Sequence, residues 1–152
     1  MNEALYISDL DGTLLNRSAK LSSYTTNILN TMFKKGIHFS VATGRTTDAV
    51  QNILADIELE IPIASFNGVV IYNLKHKSYD KIYYLTSETV KKMITLLKSH
   101  DVSWLMYELI NNEILAYYDS VEHKLSPLTE ADHARLKNND RTNCSFKMAS
   151  QT

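Results

Sequence analysis

The apolar residues in the first half of this chain keep switching period, and that alternation limits the fold more than any other feature. Residues 4–8 are a short apolar run that breaks into Asp9, Leu10, Asp11 and Gly12, as a buried strand does when it ends in a polar loop. Tyr24, Ile28, Leu29, Met32 and Phe33 then fall on one helical face. Ser22 or Ser23 is placed to cap that helix and Gly36 to end it. Residues 37–42 read as a second strand leading into Thr43, Gly44 and Arg45. A helix is expected over 46–57, with Val50, Ile53, Leu54 and Ile57 on one face. Pro62 opens a third strand over 63–66, and Asn67 with Gly68 is a strong turn signal. Residues 69–72 then either pair back as a hairpin or continue as a bent strand. Strand, helix, strand, helix, strand predicts a parallel sheet in an α/β fold. In such sheets chemistry sits at the C-terminal strand ends. Here those ends carry Asp9 and Asp11, then Thr43 to Arg45, then Asn67 and Gly68.

Near residue 80 the logic changes. Residues 82–85 are a short apolar segment, and Val90, Met93, Ile94 and Leu97 define an amphipathic helix. Residues 104–110 and 113–118 look like two strands around an Asn111 and Asn112 turn. A short helix is expected over 129–137, and the small polar residues from Asn143 onward are expected to be poorly ordered. A core over 1–80 and a second domain over 81–152 follow as the expected division.

Several function classes drop out on composition. Sixteen basic residues face 17 acidic ones, a formal net charge of −1, so no basic surplus points to nucleic acid or an anionic membrane. No apolar run approaches the ~20 residues of a membrane span, and the first residues do not read as a signal peptide, so a cytoplasmic protein is expected. The one cysteine, Cys144, excludes an intramolecular disulfide framework and has no neighbours for a zinc site. None of the five histidines falls in a metal-binding pattern.

The chemistry concentrates in Asp9, Leu10, Asp11, Gly12, Thr13 and Leu14. Two carboxylates two residues apart where a strand gives way to a loop can both aim into one cleft. At ~4 Å they repel by about 4 kcal/mol at an effective dielectric of about 20, which makes sense mainly with a cation between them. Hard oxygen ligands suit Mg2+. This permits phosphoryl transfer, with one carboxylate attacking phosphorus and the other moving the proton. A plain surface turn would explain an isolated pair of this kind. A chance match of all five fixed positions is on the order of 10⁻⁴ at average residue usage.

These residues resemble the first motif of the haloacid dehalogenase-like superfamily. Val41, Ala42, Thr43, Gly44 and Arg45 look like its second motif in the form typical of Cof-type phosphatases, and the segment 65–71 resembles the Asn-Gly stretch these proteins carry after the third strand. The resemblance implies a Rossmann-like parallel core with an inserted α+β cap, and an Mg2+-dependent phosphatase acting on small phosphorylated metabolites. It implies Asp9 as nucleophile and metal ligand. Asp11 is implied as general acid/base, with its backbone carbonyl on the metal. Thr43 is implied as the hydroxyl that binds the phosphoryl group; a hydroxyl with free N–H groups at a helix start also makes an anion site, and a plain helix cap is the bland alternative. Gly44 is implied as a close-approach glycine. Arg45 either contacts substrate phosphate or holds the loop, and Asn67 either faces substrate or serves the turn. The aromatic residues Trp104, Tyr107, Tyr117 and Tyr118 either line a substrate face or pack the hairpin.

The superfamily also carries a lysine motif and a G-D-x-x-N-D metal motif, and neither is visible in this sequence. Both core and cap are therefore expected to be incomplete. The alternative to an active phosphatase is a catalytically incomplete fragment or remnant of such a hydrolase. In the related fold a further strand covers the first one, so the edge at residues 5–8 is expected to be exposed and to support self-association. A signalling receiver domain is disfavoured, because its phosphoacceptor Asp would follow the third strand, where Phe66, Asn67 and Gly68 stand.

Overall fold

The computed structural model describes residues 4–100, 102, 104–110, 113–118 and 145–148. The chain forms two compact units, Met1–Tyr84 and Leu85–Thr152.

In the first unit, strand β1 (Leu5–Ser8) lies parallel to β2 (His38–Val41), with Leu5 opposite His38 and Ser8 opposite Val41. A parallel bridge from Ala42 to Ala64 carries the order on to β3 (Ile63–Ser65). Helix α1 (Ser23–Lys34) makes the first crossover. Ser22 caps it, its hydroxyl accepting from Thr25 N at 3.1 Å. Gly36, at φ 71°, ends it with its N–H on the Phe33 carbonyl. The inner face of α1 buries Leu29 in the core, and Phe33 meets Phe39 of β2 at 6.3 Å between ring centres.

Helix α2 (Thr47–Ile53) is shorter than the expected 46–57. After Leu54 the chain leaves the helix through tight turns, Ile57 N to Leu54 O and Leu59 N to Ile57 O. Leu54, Ile57 and Leu59 are nonetheless buried. The apolar spacing that suggested more helix reports burial, which irregular backbone provides equally well here.

Residues after β3 take the hairpin alternative. Strand β4 (Val70–Asn73) runs antiparallel to β3, with Ser65 opposite Val70. A further strand, β5 (Ser78–Ile82), pairs antiparallel with β4. The expected apolar segment 82–85 lies mostly beyond it, where Tyr83, Tyr84 and Leu85 are exposed. Leu10, Leu15, Val41, Val50, Ile63, Val70 and Tyr72 form the centre of the core together with the residues named above. Strand β1 contributes little to that core. Leu5, Tyr6 and Ile7 are 50%, 56% and 61% exposed, so the buried strand expected from its apolar run is uncovered.

In the second unit, helix α3 (Ser87–Ser99) is capped by Thr86, and Val90, Ile94 and Leu97 are its least exposed apolar residues. Strands β6 (Leu105–Ile110) and β7 (Glu113–Tyr118) form the expected hairpin. Strand β8 (Ser145–Met148) pairs parallel with β7, so these four residues of the tail expected to be poorly ordered lie in a strand, and its other residues lie outside the described ones. Backbone pairing at an available strand edge does not require a strongly apolar sequence. The expected helix over 129–137 and Cys144 lie outside the described residues. Trp104, Ile114, Leu115 and Ala116 are each buried, and the Tyr117 hydroxyl donates to Glu108 across the hairpin at 2.7 Å. Among the described residues, no helix is long and apolar enough to cross a membrane.

Candidate active site

The loop after β1 is pinned at both ends by the core. Leu10 is fully buried and Leu15 nearly so, and Leu15 N–H closes the loop on the Leu10 carbonyl at 2.9 Å. Between those anchors Asp11, Gly12 and Thr13 are held out toward solvent. Gly12 sits at φ 74°, a left-handed conformation that turns the chain away immediately after Asp11. Asp9 begins the loop with extended backbone. One of its carboxylate oxygens accepts from Leu10 N at 2.7 Å, and the Ser8 hydroxyl donates to its carbonyl at 2.8 Å.

The second loop leaves β2. Thr43 is buried, and its N–H is committed to the Ala64 carbonyl. Its hydroxyl accepts from Arg45 N at 3.3 Å. The expectation that Thr43 stands at a helix start is not met. Thr46 is the residue that caps α2, accepting from Ala49 N at 3.4 Å. Thr43 instead sits at the mouth of the sheet, where the parallel bridge to β3 fixes it.

The third loop is the β3–β4 turn. Asn67 N–H donates to the Thr43 carbonyl and Phe66 N–H to the Arg45 carbonyl, each at 3.0 Å. Phe66, Asn67 and Gly68 all have positive φ, at 50°, 55° and 87°. Asparagine and glycine tolerate this region, whereas a bulky residue such as Phe66 is held there at a cost of order 1–3 kcal/mol. The turn lies so close over Gly44 that a Cβ there would come within 2.9 Å of the Asn67 side-chain oxygen. Gly44 is thus a close-approach glycine, and the close neighbour is Asn67.

The first and second loops meet through one ion pair. Arg45 Nε and one terminal nitrogen donate to the two oxygens of Asp11, each at 2.7 Å. The side chains are 20% and 53% exposed. This is the bidentate fork that arginine makes with carboxylates. Hydrogen bonding to Asp11 raises the Arg45 pKa above its already high ordinary value, against partial burial that lowers it. Asp11, Thr43, Gly44, Arg45 and Asn67 are therefore one connected rim, with Asp9 two residues away on the same loop.

Sequence spacing gave no sign of this ion pair, whose partners are 34 residues apart. It also missed Ser65, fully buried beside the turn with no hydrogen-bond partner for its hydroxyl among the described residues. A serine inside a strand carries no local signal that its hydroxyl will be buried. Behind the rim, Thr47 approaches the Tyr79 hydroxyl at 3.5 Å and Gln51 donates to Tyr72 at 3.2 Å. Asp48 stands in the first turn of α2, and burial pushes its carboxyl up.

The residues that could hold a divalent cation are Asp9, through the carboxylate oxygen not bonded to Leu10 N–H, and the loop around Asp11. Among the described residues no three His, Cys, Asp or Glu side chains cluster.

The sequence pattern that defines the haloacid dehalogenase-like hydrolases matches residues 6–150. A 5-amino-6-(5-phospho-D-ribitylamino)uracil phosphatase of Bacillus subtilis is 27% identical over 112 residues, 73% of this chain and 42% of that protein. A haloacid dehalogenase-like hydrolase from Bacteroides thetaiotaomicron has a TM-score of 0.68 at 27% identity, covering 97% of this chain and 52% of its own. Another from B. subtilis has a TM-score of 0.66 at 20% identity, covering 97% and 55%, a likeness of fold. The chain spans about two fifths of the length of the curated phosphatase and about half of these solved structures. With the first-motif loop, the Thr43 to Arg45 loop and the Asn67 turn brought together at the C-terminal ends of β1, β2 and β3, the chain belongs to the haloacid dehalogenase-like hydrolases.

Proposed function

We propose that this chain carries the nucleophile half of an Mg2+-dependent phosphatase for small phosphorylated metabolites. The observation that supports it most is the joining of the two motif loops by Asp11 and Arg45, with the Asn67 turn bonded to the same unit. In this reading an Asp9 carboxylate oxygen attacks phosphorus, and the bond from phosphorus to the leaving oxygen breaks. Asp11 gives that oxygen its proton. Asp11 then takes a proton from water as the water attacks phosphorus. The bond to Asp9 breaks and orthophosphate leaves. Thr43, Gly44, Arg45 and Asn67 bind and orient the phosphoryl group. Asp9 and the Asp11 carbonyl hold the Mg2+, which when bound neutralises phosphate charge.

The substrate class follows from the same chemistry, and a relative named for a phosphorylated ribitylamino compound is consistent with it. Residues 1–80 act as the core and 81–152 as part of a cap. The near-neutral charge gives no basis for nucleic-acid binding. We place the protein in the cytoplasm and expect copies to associate through β1. The test is phosphate release from p-nitrophenyl phosphate with and without Mg2+. Turnover should require the metal and disappear in Asp9→Asn; turnover that survives this change would sink the reading.

A second reading is a catalytically incomplete fragment or remnant of such a hydrolase. It is favoured by Arg45 occupying both oxygens of the proposed acid/base. Absence of turnover in the native chain, at any Mg2+ concentration, is its expected signature in the same assay.

A further inference from the structure

The Asp11–Arg45 pair sets a problem for the reaction just described, because a carboxylate with both oxygens on one guanidinium is oriented toward that cation and not toward a substrate, although each oxygen keeps a second lone pair. Across residues 9–15, 43–46 and 66–69, Arg45 is the only Lys, Arg or His. On these three loops an incoming phosphate dianion meets two carboxylates, Asp9 and Asp11, and one cation, Arg45, which is already engaged.

The backbone of Arg45 is fixed. Its N–H is on the Thr43 hydroxyl and its carbonyl receives Phe66 N–H. Its side chain is long and has many rotamers, and the Asp11 end of the pair is half exposed next to the left-handed Gly12. The guanidinium can therefore change partners while the loop stays in place. The move is favourable because a phosphate carries more charge than a carboxylate and offers the same planar fork a pair of oxygens.

We propose that Arg45 is a latch: without phosphate it holds Asp11, and phosphate at the Thr43 loop draws it away and releases the Asp11 carboxylate from the guanidinium. The inference rests on the phosphatase reading for the identity of the anion. Arg45 is a positioning residue for Asp11 and a binding residue for phosphate, in alternation.

The latch has to be broken before phosphate gains Arg45, so removing Asp11 should raise phosphate affinity, and the gain should depend on Arg45. The test is calorimetric titration of orthophosphate, without divalent cations, into the full chain and its Asp11→Asn, Arg45→Gln and double variants. Asp11→Asn is expected to bind about tenfold more tightly than the native chain, or about 1.4 kcal/mol. In the Arg45→Gln background the same change should gain less than about threefold, the residue of lifted carboxylate–phosphate repulsion. Equal gains in the two backgrounds, or no detectable binding by Asp11→Asn, would overturn the proposal. A fixed bridge, with Arg45 touching Asp11 and phosphate together, would give no Arg45-dependent gain and would overturn it too. A spectroscopic readout avoids variants altogether. The Arg45 Nε–H resonance of the native chain should move as orthophosphate saturates, and a stationary resonance would refute the exchange. Neither measurement involves turnover, so the latch can fail while the Asp9→Asn assay still supports a phosphatase, and the reverse.

Discussion

At the scale of single residues, the site is a set of close approaches. Gly44 shows this best, because the atom its missing side chain would strike is the far end of Asn67. In Gly44→Ala the asparagine can swing aside while the Thr43–Asn67 backbone bond persists. The fold should be barely affected, with thermal midpoints agreeing within a few degrees, of order 1 kcal/mol or less. Orthophosphate binding, by contrast, should weaken severalfold if Asn67 contacts the phosphoryl group. A loss of fold stability with unchanged binding would assign Asn67 to the turn alone. Much at this scale was legible. Asp9, Asp11 and Gly12 follow an apolar run, and glycine is rare enough in this chain that Gly12, Gly44 and Gly68 mark the loops. The partner of Asp11 was not. Local spacing says which side chains share an element, while the Asp11–Arg45 pair depends on how two loops from different strands come together. Ser65 escaped notice for the same reason, since burial of a hydroxyl is decided by neighbours distant in sequence.

Among the elements, helix starts were readable because capping is local. Ser22 and Thr86 stand one residue before α1 and α3 with their hydroxyls on backbone N–H groups. Helix α2 was readable at its start and misread at its end, and β5 was missed, since Ser78, Tyr79, Asp80, Lys81 and Ile82 show no clean alternation. That strand matters to α2, because Tyr79 meets Tyr72 edge-on at 4.9 Å and together they shape the surroundings of Asp48. Burial raises the Asp48 pKa, and Asp48 lies among the charges that push both tyrosines up. The sign follows from proton linkage. The folded chain holds the Asp48 proton to higher pH than the unfolded chain, so stability falls as pH rises from the ordinary carboxylate range through the raised value. At neutral pH the ionised, half-buried carboxylate is a cost, and Asp48→Asn should raise the thermal midpoint. The advantage should shrink as pH drops below the ordinary carboxylate pKa, where both forms are neutral. A midpoint that falls at neutral pH would mean that the charge at the start of α2 is worth more to the helix than its desolvation costs.

For the whole molecule, the controlling fact is what lies against β1. Its run of Leu5, Tyr6 and Ile7 has the composition of a strand buried on both faces, and composition could reveal no more than that, since cover is supplied by other elements. Among the described residues β2 is its one strand partner, which leaves the opposite edge with unpaired N–H and carbonyl groups beside exposed apolar side chains. The devices that usually protect an edge, a proline or a charged side chain, are absent from residues 5–8. A net charge of −1 offers little repulsion between copies. An antiparallel meeting of two β1 edges would be isologous: each copy supplies the same strand, the pairing closes after two chains, and the two short sheets become one of four strands. Light scattering should therefore give a mass that rises toward two chains with concentration. Ile7→Lys places a charge in the middle of the paired strands without touching the Asp9 loop, and should return the mass toward one chain while leaving the far-UV circular dichroism unchanged. A native chain that stays monodisperse and monomeric at the highest accessible concentration would show that the β1 edge does not recruit a second copy, and its apolar side chains would then owe their tolerance in water to something other than strand pairing.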